Sequence, residues 1–564
     1  MDGQADTGEK GTSIVPGVCP IDLPNGDTVL CRAWMPDARP SWTLAVFGEA
    51  GAGLGPDSQL AAWPELDGAA VFACPPPGDP SKAANDAGRA WIATIQQIDL
   101  VMRRLAELSG NSWEDTVVAA SGAAALAVAT WVHDFAPPLR GMVLADPALT
   151  IPPSTPLPRG VRLLWKYTAE RLTADAGAIR VPTLLFCSNT ASPTVQRAHQ
   201  RFFEQLGAAV KRMRALPAAE LTQIVPIGSR PGLALEPPHE APSRQAAGTC
   251  GALCEELRQF LVDASHRRGA PVPGFDTGHY GGDGGKHQRL CTPLAPLSRR
   301  GLYYGLVGAG LRAMALFSPG LRLGWRTGFD SGEMLDYVYE NRARGIPVLG
   351  TWIDRLFLNN IGWKAARRRK QHIEKTLRGA VQAVLATGQP VRVLDIAAGP
   401  GRYVLETVRA FRGADISALL RDYESANLEA GRKLAQAMGV ENAEFQWGDG
   451  FDEASLATIS PPPNVAVACG FYELFGDSGR VLCSLRGLAA AVRPGGYLVY
   501  TNQPWHPRLE FLARVLVNHA GKPLAMRCRC QEEMDDLVRA AGFHKVGMEI
   551  DEFGIFSVSL ARRG

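Results

Sequence analysis

The stretch Val391–Val408, VRVLDIAAGPGRYVLETV, ends a short apolar run in an acid and then sets two glycines before a helical pattern. Such a strand–turn–helix unit cradles a nucleotide-like ligand. A dinucleotide-binding turn carries a third glycine that lets helix and strand pack closely; here that position is Val404. Asp395 stands four residues before Gly399 and is expected to aim its carboxylate into the ligand cleft. A carboxylate there opposes a pyrophosphate and favours a ligand carrying ammonium and sulfonium charge. More acids follow at the ends of apolar runs: Asp422 in ALLRDYE and Asp449 in FQWGDGFD.

The pattern D-x-A-x-G-x-G, made by Asp395, Ala397, Gly399 and Gly401, resembles motif I of class I S-adenosylmethionine-dependent methyltransferases. The resemblance implies roles in order along the chain. Asp422 would hold both ribose hydroxyls, as acids at this switch point do. Asp449, with Gly450, would contact the adenine amino group. Gly470 and Phe471, in NVAVACGFYELF, would open over the methyl group, and AVRPGGYLVYTN supplies the Pro-Gly-Gly turn before the fifth strand. Residues 290–564 also look like a bacterial methyltransferase family often fused behind an α/β-hydrolase domain, through GFDSGEMLDYVYENRARG, IDRLFLNNIGW, GFYELFGD, YTNQPWHPRLEF and GIFSVSLARR. S-adenosylmethionine is the implied cofactor; no metal is implied.

Methyl transfer is an in-line displacement governed by positioning, with a base where the acceptor carries a proton. Tyr472 and Glu473 after the fourth strand, and Asn502, Trp505 and His506 after the fifth, are the candidates. His506 lies in QPWHP, whose prolines stiffen the loop. Phe471 and Trp505 read either as pocket lining or as core.

A second group of residues could do acyl chemistry. TVVAASGAAALAV sets Ser121 between small neighbours at a strand-to-helix junction. Small flanks suit a nucleophile elbow, whose serine is backbone-strained. The order of elements across 17–265 resembles the monoacylglycerol-lipase-like branch of the α/β-hydrolase fold. That resemblance implies a Ser121–His239 pair and an oxyanion site from the Glu49 and Gly122 N–H groups. The acid after VPTLLF is missing: CSNTASPTV places Ser192 near the expected position, with Asn189 the nearest polar substitute. Without an acid the histidine loses its tautomer lock. Asp146 or Glu236 could stand in. The unit reads as an acyl hydrolase or as a degenerate binding module.

The elements that must position these groups form two α/β blocks. At 564 residues the chain exceeds one core. We expect a disordered 1–16, an α/β-hydrolase-like domain over 17–266, a Gly/Pro-rich linker over 267–288, a helical extension over 289–388 and a methyltransferase sheet over 389–564. Strands alternating with helices predict mostly parallel sheets. Asn25-Gly26 predicts a hairpin turn.

Net charge is +3, which argues against a nucleic-acid partner; no N-P-P-Y-type loop follows the fourth strand. Eleven cysteines without a CxxC pair, and a polar N-terminus without an apolar signal, predict reduced thiols and a cytoplasmic protein. The expected partner is a small molecule, a lipid or acyl ester among the options. KAARRRK at 364–370 and the apolar GLYYGLVGAGLRAMALF with its lone Arg312 read either as contact with an anionic lipid surface or as a solvated basic face and a buried helix. The methyl acceptor and the oligomeric state stay open.

Overall fold

The computed structural model describes residues 17–22, 28–36, 38–48, 68–75, 87–150, 159–217, 221, 256, 258–264 and 283–564. Expectations on 1–16, on the Asn25-Gly26 turn, and on Glu49, Glu236 and His239 fall outside them. The chain divides into two compact units, Met1–Val272 and Pro273–Gly564. Each carries one mixed α/β sheet. No helix among the described residues is long and apolar enough to cross a membrane.

The first unit has strands β1 (Gly17–Asp22), β2 (Thr28–Trp34), β3 (Trp42–Phe47), β4 (Ala69–Cys74), β5 (Thr116–Ser121), β6 (Gly141–Ala145), β7 (Thr183–Ser188) and β8 (Lys211–Leu216). They lie in the order β1-β2-β4-β3-β5-β6-β7-β8. β1 and β2 pair antiparallel, β2 meets β4 antiparallel, and β3 to β8 run parallel. Strands β3 to β7 are buried along their whole length, as strands covered on both faces must be. Helices α1 (Ala87–Ser109), α2 (Gly122–Phe135), α3 (Arg159–Ala174) and α4 (Pro193–Gln205) flank them. Alanines let α2 lie close: every residue from Ala124 to Phe135 is buried. Its polar pair His133 and Asp134 is satisfied internally, by Asp175 and a bidentate Arg171.

The second unit opens with six helices: α5 (Asp283–Cys291), α6 (Arg299–Met314), α7 (Pro319–Thr327), α8 (Gly332–Glu340), α9 (Leu349–Leu358) and α10 (Ile361–Leu385). The first of these starts inside the stretch read as linker. Ser298, Ser318, Ser331 and Asn360 cap α6, α7, α8 and α10, each side chain accepting an N–H of the first turn. Asp354 of α9 is fully buried and accepts from Ser318 Oγ (2.5 Å), Gly320 N (3.0 Å), Tyr337 Oη (2.6 Å) and Arg344 N (2.9 Å). One carboxylate thereby pins α7, α8 and α9 together. α6 is not a core helix: Gly308 is its one buried residue, and Leu302, Tyr303 and Leu306 are exposed. Its Arg312 lies 4.3 Å over the Trp325 ring.

The sheet that follows has β9 (Val391–Asp395), β10 (Ile416–Asp422), β11 (Ala443–Trp447), β12 (Val465–Ala468), β13 (Tyr497–Asn502), β14 (Phe543–Ile550) and β15 (Ser557–Arg563). The order is β11-β10-β9-β12-β13-β15-β14, parallel except for β15. Chain order reverses between β9 and β12, which makes a Rossmann-like switch point. Helices α11 (Arg402–Ala410), α12 (Ser425–Met438), α13 (Glu453–Ala457), α14 (Ser478–Ala491), α15 (Leu509–Val515) and α16 (Gln531–Ala540) complete the unit. Val391, Val393, Val465 and Val467 pack on one face beneath Ile373, Leu377, Ala380, Val381 and Val384 of α10; Leu394, Ala466 and Ala468 pack on the other. Period two in the strands thus meets period 3.6 in the helix.

Gly401 shows how tightly the loop is built. Its φ is +74°, and a Cβ there would sit 2.1 Å from Leu420 Cδ2 of β10. Gly401→Ala therefore adds backbone strain and a clash, with an expected loss of about 1–3 kcal/mol. Urea unfolding checks this; an unchanged midpoint would refute the close approach.

Candidate functional site

At the carboxyl ends of β9, β10 and β12 lies a cavity of about 590 Å3. Ala397, Gly399, Gly401, Asp422, Asp449, Gly450, Gly470 and Phe471 all line it. Asp422 ends β10 and ties the glycine loop down: Oδ2 accepts the Gly399 N–H at 2.8 Å, and Oδ1 accepts from Glu424 N and Asn427 Nδ2. Asp449 turns its Oδ1 to the Phe451 N–H. Phe451 and Phe471 lie 4.5 Å apart as a tilted stack, with the Arg480 guanidinium 4.3 Å from the Phe451 ring. A Cβ on Gly450 would meet Phe471 at 2.9 Å, so this wall tolerates no side chain there. Asp330 and His519 close another side, the Asp330 carboxylate meeting both the His519 N–H and Nδ1. That contact raises the imidazole pKa against its burial.

Asp395 departs from expectation. It is fully buried and does not line the cavity. Strand alternation turns it to the face of Val391 and Val393, where Tyr403 Oη donates to it at 2.7 Å and the Ala397 N–H at 3.4 Å. Burial lifts its pKa to about 7; those two donors oppose the rise, and the charge on Asp422 adds to it. It supports the loop from below.

A second cavity, about 360 Å3, adjoins the first. Asp330, Leu335, Arg369, Gly470 and Leu474 line both. Its other walls are largely apolar, built by Phe329, Trp352, Phe357, Trp363, Phe511 and Phe556 among others. Glu473 and His506 line this cavity and not the first. Glu473 Oε1 accepts from Arg369 Nη1 at 2.9 Å, both side chains being buried. The Arg369 guanidinium also lies 4.4 Å over the Phe556 ring and beside Gly470, where a Cβ would sit 3.0 Å from Nη2.

His506 does not suit the role of base. Its Nδ1 accepts the Arg508 N–H at 3.1 Å, so the neutral ring carries its proton on Nε2. Burial, then the Arg508 charge, lowers its pKa to about 4. It is a neutral donor. Tyr472 is excluded as well: it is buried in the core, lines neither cavity, and bonds Ser484 Oγ at 3.0 Å. Asn502 is spent on Arg529 O and Gln531, and Trp505 packs beside Ile555 and Phe556.

The 364–370 segment offers no free basic face. Arg368 pairs with Glu552, Arg369 with Glu473, and Lys370 with Glu374 and Glu406; Arg367 donates to Leu358 O. Lys364 is the one exposed residue of the five. Sequence reasoning treated Arg369 as surface charge, although it shares a helical stripe with Ala365, Ile373 and Leu377. It also missed Asp330, Gln503 and His519.

In the first unit Ser121 ends β5 with φ −127° and ψ 154°, ordinary extended backbone. The left-handed residue is the next one, Gly122, at φ +54°. The left-handed turn from β5 into α2 is thus made by a residue without a side chain, and Ser121 carries no backbone strain. Asp146 has φ +46° and accepts the Ser188 N–H. It lies beside Cys187 and His199, their ligand atoms within 4.8 Å of one another.

A family model described as "Putative methyltransferase" matches residues 257–563. An Escherichia coli K12 protein, "Uncharacterized protein YnbC", is 35% identical over 521 residues, which is 83% of this chain and 85% of that protein. Solved structures with similarity include a SAM-dependent methyltransferase of Methanosarcina mazei, 17% identical over 31% of this chain and 92% of that one, TM-score 0.25. An O-methyltransferase family protein of Burkholderia thailandensis is 13% identical over 48% of this chain and 96% of that one, TM-score 0.29.

Because the Asp395 pKa is raised on folding from 3.8 to about 7, its contribution to stability is fully present below about pH 4 and is lost as pH rises through about 7. Asp395→Asn removes that dependence. Urea midpoints at about pH 5 and about pH 8 should show a smaller drop in the variant than in wild type; equal drops would mean that the buried carboxyl titrates normally.

Proposed function

The chain belongs to this methyltransferase family, and we propose that its C-terminal unit is an S-adenosylmethionine-dependent methyltransferase for a small acceptor with an apolar body. The observation that carries the reading is the pair of adjoining cavities, one loop-lined at the sheet's switch point and the more polar of the two, the other largely apolar, with Gly470 and Arg369 in the wall of both. Ligands of open α/β sheets bind at such a switch point.

The residues present fit the cofactor. Gly399 and Gly401 keep the loop bare of side chains, and Gly332 packs a Cα against it: a Cβ on Gly332 would meet Pro400 Cδ at 2.9 Å. Asp422 would take the ribose hydroxyls, with Asn427 beside it. Asp449 and Gly450 would meet the adenine edge, and the Phe451–Phe471 stack offers an aromatic wall. Asp330 and Asp422 supply negative potential for a cationic ligand. When bound, S-adenosylmethionine supplies a methyl group activated by a sulfonium. The chain's own contribution is to orient the two ligands across a shared wall and to exclude water there.

We read the N-terminal unit as an α/β-hydrolase fold without its nucleophile. Its support is the strand order with an antiparallel start and a parallel remainder, the helix springing from β5, and Gly122 at the left-handed elbow position. On this reading the unit does not cleave esters through Ser121.

Two measurements test these readings. Calorimetry of the full chain should detect S-adenosylmethionine binding, and Asp422→Ala should weaken it by at least about tenfold; absence of binding by wild type at millimolar ligand would sink the assignment. With p-nitrophenyl butyrate the full chain should show no turnover above background, and Ser121→Ala should match it. Hydrolysis that disappears with Ser121 would restore the hydrolase.

A further inference from the structure

We propose that the acceptor is an apolar molecule ending in a protic nucleophile, an O–H or N–H group, which Glu473 and Gln503 hold at the polar end of the apolar cavity and which Glu473 deprotonates. The inference rests on the methyltransferase reading and adds the chemistry of the acceptor atom.

Besides Asp330, Asn360 and Arg508, four polar side chains line this cavity: Arg369, Glu473, Gln503 and His506. Glu473 follows β12, Gln503 and His506 follow β13, and those two strands are neighbours in the sheet. Arg369 joins them to the wall shared with the cofactor cavity. Two of the four carry a buried acceptor oxygen that nothing satisfies. Glu473 Oε1 is bonded to Arg369, while Oε2 has no hydrogen-bond partner. Gln503 is fully buried; its Nε2 donates to Cys528 Sγ at 3.8 Å, and Oε1 has no partner. A buried polar atom without a partner costs about 1–3 kcal/mol, more when charged. Both residues line one apolar cavity, and a molecule that brings a hydrogen on a heteroatom to this end of it would satisfy such an oxygen.

The selectivity follows from that deficit. An alcohol or an amine satisfies an orphaned oxygen on entry. A thioether, a tertiary amine or an ether of the same shape leaves it unpaired, and sites built this way reject the analogue that lacks the hydrogen. His506 does not compete for the proton, since its Nδ1 is occupied and its Nε2 carries hydrogen. Tyr472 lies elsewhere. Asp330, which also lines this cavity, has both oxygens engaged by His519; Glu473, with one oxygen unpaired and its charge balanced by Arg369, is the base.

The step balances. The nucleophile's lone pair forms the new bond to the methyl carbon. The carbon–sulfur bond breaks and its electron pair returns to sulfur, which becomes a neutral thioether. The proton on the nucleophile passes to Glu473 Oε2 and from there to solvent.

The test uses the full chain and a matched pair of probes, decanol and decyl methyl ether, without cofactor. Trp352 and Trp363 line the cavity, so fluorescence reports entry. Decanol should bind about tenfold more tightly than the ether, the effect of a hydrogen bond to a charged acceptor. Glu473→Gln replaces the free oxygen with a donor and should erase the preference. Gln503→Leu, which leaves the Arg369 pair intact, should reduce it and decides the matter if Glu473→Gln does not fold. Both variants should bind S-adenosylmethionine within about twofold of wild type, because neither residue lines the cofactor cavity. With decanol and S-adenosylmethionine together, mass spectrometry should detect decyl methyl ether in wild type and far less in Glu473→Gln. Equal affinity of wild type for the two probes, or a preference unchanged in both variants, overturns the inference while leaving cofactor binding standing. Loss of cofactor binding by wild type would instead overturn the reading beneath it.

Discussion

The buried ion pair of Arg369 and Glu473 is the constraint around which the second unit is arranged. Burying two charges is expensive, and apolar residues of similar size can be as stable or more so. The pair therefore earns little as a strut. What it does is fix a place: it joins the middle of α10 to the tip of β12 and puts a guanidinium between two cavities. Around it the chain gives up side chains. Gly470 leaves room for the guanidinium, and the flat face of Phe556 covers it from another side. A carboxylate held at one oxygen by arginine has its second oxygen committed in direction but not in partner.

The apolar cavity then follows from the helices that must enclose such a pair. α7, α8 and α9 are tied by four hydrogen bonds into Asp354 of α9, given by Ser318 and Gly320 at the start of α7, by Tyr337 of α8 and by the Arg344 N–H that follows α8. Apolar residues of all three helices reach the cavity wall: Leu321 of α7, Leu335 of α8, and Ile353 and Phe357 of α9 line it. The wall does not end at the interior. Trp352, Leu356 and Met314 line the cavity and are also exposed, so its apolar surface continues to solvent. Entry of an apolar molecule then involves no polar gate at these residues.

Much of this was legible in the sequence wherever the requirement is local. The glycine loop, the acid at the end of β10 and the Gly-Asp-Gly turn after β11 are read from residue types whose backbone or charge leaves few alternatives. Asp395 was misread through neglect of a local rule: it alternates with Val391 and Val393 and must share their buried face. Arg369 was legible too, since Ala365, Ile373 and Leu377 mark a buried stripe and a charge in that stripe must find a partner. Its partner, 104 residues on, was not legible, because no periodicity links α10 to the tip of β12. The orphaned oxygens of Glu473 and Gln503 are likewise properties of packing and have no signature in composition or spacing. α6 misled for the opposite reason. Its apolar residues lie all round the helix, a pattern shared by buried helices, yet only Gly308 is buried.

The first unit makes the same point about motifs in sharper form. Small-x-Ser-x-small is a statement about residue types, whereas an elbow is a statement about φ. The backbone resolves them one residue apart: Ser121 continues β5 as extended chain, and the turn is made at Gly122, where a left-handed φ costs nothing. A serine at that left-handed position would be strained by about 1–3 kcal/mol, and a hydrolase spends that strain on presenting its nucleophile. Glycine at that turn carries neither the strain nor a nucleophilic side chain. A small-x-Ser-x-small run and a left-handed turn are thus both present, but on neighbouring residues, whereas a nucleophile elbow needs them on one.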